Sequence, residues 1–115
     1  GLFDGEPLHI MVNHWPSRRG GEKKSAWKRN KAAKMCRTVI DSLEIIDPGV
    51  KVIVMGDLND DPTSESVRSH LRAVSKKSDL RKNRFLFNPR LYLFFLMVIS
   101  EHISVNCCRT VFFYP

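Results

Sequence analysis

Two short polar clusters hold the side chains of this chain best suited to chemistry: Asn13-His14-Trp15-Pro16-Ser17-Arg18 and Gly56-Asp57-Leu58-Asn59-Asp60-Asp61-Pro62. In the first, His14 can donate a hydrogen bond to an anionic oxygen or act as an acid. Asn13 and Ser17 add neutral donors, and Arg18 adds a planar cation that matches an oxyanion in bidentate fashion. In the second, Gly56 allows a tight backbone turn. Asp57 can orient and deprotonate a water, or bind a hard cation through oxygen. Asn59, two residues on, can offer its amide to the same side. Taken singly, each cluster is also an ordinary surface feature: a loop whose Trp15 packs on a sheet rim, and an Asx-rich turn. A calcium loop is excluded. Asp57, Asn59 and Asp61 alternate as such a loop requires, but its sixth position is Pro62 and its twelfth is Arg68, where glycine and glutamate are needed.

The elements between the clusters decide whether they meet. Leu8 to Val12 is a short apolar run expected to form a strand. Asn13 to Gly21 reads as a loop, with Ser25 capping the helix that follows. Ala32, Met35, Cys36, Val39, Ile40, Leu43 and Ile46 recur at helical spacing and predict one buried stripe, with Lys and Arg residues on the other face. Asp47-Pro48-Gly49 stops that helix. Val50 to Met55 is almost wholly apolar and predicts a central strand buried on both faces. Gly56 to Pro62 reads as a loop, and Ser64 caps a short helix carrying Val67 and Leu71. A strand, helix, strand unit makes a right-handed crossover between parallel strands. The two polar loops then lie together at the carboxyl edge of the sheet, where open α/β sheets bind ligands.

The chain has 115 residues, 43% of them hydrophobic and 27% charged, which implies one domain at most and argues against disorder. Its net charge of +7 favours polyanionic partners. The cations concentrate between Arg18 and Arg37, where only Glu22 opposes them. That run reads as the solvated face of a helix, or as a phosphate-attracting rim. A basic nucleic-acid-binding module without catalysis is the alternative function it allows. Cys36, Cys107 and Cys108 define neither a disulfide framework nor a zinc site. The chain opens at Gly1 with no signal-like segment, so any targeting signal is expected upstream, and neither localisation nor oligomeric state can be read. Residues 85 to 115 differ in kind, with eight of the eleven aromatic residues and three charges. Leu91 to Ser100 is apolar, but a membrane-spanning helix needs roughly 20 such residues. The composition jump predicts a boundary near residue 84 and an atypical tail, with a reading-frame error as one origin.

The paired motifs, with an amphipathic helix and an apolar strand between them, resemble the endonuclease/exonuclease/phosphatase family, in a form seen in its bacterial members. The resemblance spans roughly Leu8 to Leu71. It implies an α/β fold, here part of a four-layered sandwich of mixed sheets flanked by helices. It implies hydrolysis of a phosphoester, nucleic acid included, with a divalent cation, usually Mg2+. Carried onto this sequence, it makes His14 the residue contacting the scissile phosphate, and Asp57 the one positioning water near the metal. Asn59 orients the phosphate, while Asn13, Ser17 and Arg18 line the substrate side. The family's metal-binding Glu and terminal Asp-His pair have no counterpart here; neither His70 nor His102 matches. Little or no activity is therefore expected of these 115 residues alone.

Overall fold

The computed structural model describes residues 1–74, 86–87 and 109–114. The apolar stretch Leu91–Ser100, His102, Cys107 and Cys108 lie outside the described residues.

In chain order the elements are β1 (Leu2–Phe3), β2 (Glu6–His14), α1 (Glu22–Ile46), β3 (Lys51–Asp57), a π-helical turn at Ser66–His70, β4 (Ala73–Val74), β5 (Leu86–Phe87) and β6 (Arg109–Tyr114). The strands form one mixed sheet in the order β1-β2-β3-β6-β5-β4. β2 and β3 are parallel neighbours, in register from Leu8 beside Lys51 to His14 beside Asp57. β6 runs antiparallel along the other side of β3. The crossover expected from the sequence is therefore present, in an α/β arrangement of a mixed sheet and a helix.

α1 covers one face of the sheet. Ala33, Cys36 and Ile40 meet Val52, Val54, Trp15 and Leu58 in a core completed by Val50, Val67, Leu71, Ala73 and Leu86. Alternation along β3 sends Val52 and Val54 into this core and leaves Ile53 and Met55 half-buried on the other face, beside the exposed Ile10 and Val12 of β2. The expectation of a strand buried on both faces is thus corrected: among the described residues one helix shields one side, and Ile53 and Met55 on the other are only half-buried.

The buried stripe of α1 also differs from expectation. Cys36 and Ile40 lie within it, but Met35, Val39 and Ile46 are exposed, while Ser25, Arg29, Arg37 and Glu44 are buried. The guanidinium groups of Arg29 and Arg37 can be buried there because carboxylates and most of their hydrogen-bond partners meet them inside the fold. Arg37 pairs with Glu44 at 3.0 Å and Asp41 at 2.6 Å. Arg29 donates to Ser25 Oγ at 2.8 Å and the Glu22 carbonyl at 3.2 Å.

The helix starts three residues before the expected cap. Gly21 takes the N-cap position without a side-chain bond, and Ser25 donates back to the Gly21 carbonyl at 2.9 Å. At the far end the Asp47 amide bonds the Leu43 carbonyl, and the Asp47 side chain accepts from Gly49, which ends the helix where the sequence indicated. Ser64 does not cap a helix with its side chain. Its hydroxyl accepts from the Asp61 amide, and the turn beyond closes through a Leu71 amide bonded to the Ser66 carbonyl.

Candidate functional site

Asn13 and Gly56 stand side by side near the carboxyl ends of β2 and β3, and His14 stands beside Asp57 one step further on. Asn13 turns toward α1: its carboxamide oxygen accepts from Cys36 Sγ at 3.1 Å, and its nitrogen donates to the Met11 carbonyl at 3.0 Å. Strand alternation then sends His14 to the opposite, open face. Asp57, its register partner, shares that face. The two backbones are one strand spacing apart, about 4.8 Å.

Gly56 makes this register possible. Its φ is 123°, and a Cβ there would collide with the Asn13 carbonyl oxygen and approach the Asn13 backbone nitrogen and carbon to 3.0 Å. Only glycine lets the strands close to hydrogen-bonding distance at the step before Asp57.

The loops beyond the strands are stitched together. The Trp15 amide donates to the Asp57 carbonyl at 3.0 Å, extending the parallel ladder by one bond. Asn59 Nδ2 donates to the Trp15 carbonyl at 2.9 Å, and Arg18 Nε donates to the Asn59 carbonyl at 3.1 Å. Asn59 adopts φ 51°, a left-handed conformation Asn tolerates better than most residues, and its amide donates to Asp57 Oδ1 at 3.0 Å. That bond fixes the Asp57 carboxylate and leaves its second oxygen uncommitted among the described residues. Ser17 is exposed at the rim.

Arg18 is drawn into the same framework. Its Nη2 lies 2.7 Å from Asp61 and 3.4 Å from Asp60. The hydrogen bond to Asp61, helped by the charges of Asp61, Glu22 and Asp60, raises its already high pKa against the opposing effect of burial.

Beneath the loop sits an ion pair that sequence reasoning missed. Asp60 is buried and accepts from Ser66 Oγ at 2.5 Å. Arg29 Nε lies 2.9 Å from the same oxygen, too obliquely for a straight hydrogen bond, so the contact is primarily ionic. Arg29 gave no separate signal inside a run of cations, and Asp60 none inside an Asx-rich turn. The pair fastens the loop carrying Asp57 and Asn59 to α1.

Cys36 lies under the site. Burial pushes its thiol pKa above the ordinary value, with weaker opposition from the Trp15 indole. A buried protonated thiol is a poor nucleophile. Iodoacetamide at pH 8 is therefore expected to label the Cys36 peptide at least about tenfold more slowly in native than in urea-unfolded protein. Peptide mass spectrometry reads this, and equal rates would show an accessible thiol.

For a hard cation, the described residues offer the free oxygen of Asp57 but no cluster of three His, Cys, Asp or Glu side chains. Asp60 and Asp61 are committed to arginines. A cation there would have one protein carboxylate among the described residues, and water or substrate oxygens would have to complete its shell.

A family model described as "Endonuclease/Exonuclease/phosphatase family" matches residues 1–105. The match extends beyond the Leu8–Leu71 span on which the motif resemblance rested. No curated protein and no solved structure matches the chain.

Proposed function

Because the chain belongs to the endonuclease/exonuclease/phosphatase family, we propose that His14 and Asp57 form the phosphate-handling row of a phosphoester hydrolase site. The family acts broadly on phosphoesters, nucleic acids among them, and generally uses divalent cations. The observation that carries the reading is the register itself. A neutral or cationic donor and a carboxylate stand side by side on the open face at the sheet's carboxyl edge.

In this reading His14 donates from its ring to a non-bridging phosphoryl oxygen. Asp57 orients the attacking water and takes up its proton, its carboxylate held in place by the Asn59 amide. The second N–H of the Asn59 carboxamide faces the phosphate. Ser17 adds a donor at the rim, while Arg18 ties the two loops together and Asn13 anchors the end of β2 to α1. Asp57 would hold the cation, Mg2+ in this reading, which would supply positive charge to offset the negative charge on the phosphoryl oxygens. With one carboxylate among the described residues as its protein ligand, little or no turnover is expected of these 115 residues alone.

The test is hydrolysis of bis(4-nitrophenyl) phosphate with magnesium by the wild-type chain, His14→Ala and Asp57→Asn. Asp57→Asn keeps an acceptor for the Asn59 amide and removes the charge. Each substitution is expected to lower the residual turnover about a hundredfold, the scale of a lost acid or base. In parallel, inorganic phosphate with magnesium should move the amide NMR signals of His14, Asp57 and Asn59. Turnover indifferent to both substitutions would remove the row from the chemistry.

A further inference from the structure

α1 is 25 residues long, about 37 Å at helical rise, and only one side of it packs on the sheet. On the opposite arc, at i, i+3 and i+4 spacing, stand Lys24, Lys28, Lys31 and Lys34, all exposed. The three acidic residues of the helix are elsewhere: Glu22 faces Arg18, Asp41 pairs with Arg37, and Glu44 is buried. The outward arc therefore carries positive charge with no carboxylate among it.

The same arc carries large apolar side chains that water does not favour. Trp27 is 61% exposed, Met35 63%, Ile45 79% and Ile46 82%. Lys28 Nζ sits 5.7 Å from the Trp27 ring centre, so cation and indole form one amphipathic unit. No helix among the described residues is long and apolar enough to cross a membrane. This helix has the makeup of one that lies along a surface.

We propose that the outward face of α1 docks on a membrane rich in acidic phospholipid. Charge complementarity selects an anionic partner, and the interleaved apolar residues select among anionic partners. A nucleic-acid phosphate backbone would satisfy the lysines but leave Trp27, Met35, Ile45 and Ile46 against water. A headgroup layer receives both kinds of side chain: ammonium groups at phosphate level, and the indole and aliphatic groups at the acyl boundary. His14 and Asp57 lie on the sheet face away from α1, so docking leaves them open. The inference does not depend on the hydrolytic reading.

The test is co-sedimentation of the full chain with vesicles of phosphatidylcholine containing 30% phosphatidylserine, against pure phosphatidylcholine. Wild type should bind the acidic vesicles and shift its Trp27 emission to the blue, and should bind neutral vesicles weakly. Each lysine near the surface contributes about fivefold, so the Lys28→Ala/Lys31→Ala/Lys34→Ala variant should bind about a hundredfold more weakly. Trp27→Ala should weaken binding about tenfold and abolish the blue shift. All these positions are exposed, and unchanged far-UV circular dichroism confirms folding. Failure to bind acidic vesicles overturns the proposal, as does triple-variant binding equal to wild type. A 20-base-pair DNA duplex serves as the competing probe. Tight, salt-sensitive binding to it that survives Trp27→Ala, with vesicle binding absent, would reassign the surface to nucleic acid.

Discussion

Replacing Asp60 by alanine is expected to destabilise the fold by about 3–5 kcal/mol, the usual cost of stranding one member of a buried ion pair. Arg29 is 1% exposed and cannot recover water without opening the junction between α1 and the Asp57 loop. Its bonds to Ser25 and the Glu22 carbonyl would remain, but its charge would be uncompensated. Ser66 would lose its acceptor as well. Urea unfolding should show a lower midpoint with an unchanged slope. Asp60→Asn, which keeps the shape and an acceptor oxygen, should lose less. Arg29→Met combined with Asp60→Leu should recover most of the stability, because apolar replacement of a whole buried pair is often neutral. An Asp60→Ala midpoint within error of wild type would mean that water reaches the guanidinium.

The second large effect is expected at Gly56. Alanine there must adopt φ near 123°, disfavoured for any residue with a Cβ, and must also push the Asn13 carbonyl aside. Backbone strain of about 1–3 kcal/mol and overpacking of similar size together predict a loss of about 3–5 kcal/mol. Gly20→Ala is the matched control. Gly20 has φ 86° with nothing within 4 Å of the added methyl, so strain alone applies and about 1 kcal/mol should be lost. Parallel thermal melts separate the two contributions. Equal losses at both positions would show that β2 and β3 yield easily at the Asn13 step. Because Asp57 follows Gly56 directly, any Gly56→Ala protein that folds should also turn over more slowly.

The crossover was legible because its signals are local. An apolar run, a helix-period stretch ended by Asp47-Pro48-Gly49, and a second apolar run specify strand, helix and strand one after another. The adjacency of the two polar loops follows from that order. The rotation of α1 was not legible. Arg29 and Arg37 are inside because Asp60 lies far along the chain and because Asp41 and Glu44 follow at spacings where they can fold back, and hydrophobic periodicity is blind to such pairings. The loop showed the same limit. Asp57, Asn59, Asp60 and Asp61 look alike as residue types, yet one faces the open edge, one stitches two backbones, one is buried and one holds Arg18 at the surface. The pairing of β6 with β3 joins Arg109 to the row of Asp57 across a span with no local signal of register.

The β2–β3 register also bears on the order of folding. His14 and Asp57 become neighbours only when a loop holding all of α1 has closed, and that closure costs entropy before the pairing returns any stability. α1 can form from local contacts alone, whereas the ladder cannot. A nascent chain in which the helix is made but the strands are still apart carries both His14 and Asp57 without bringing them side by side.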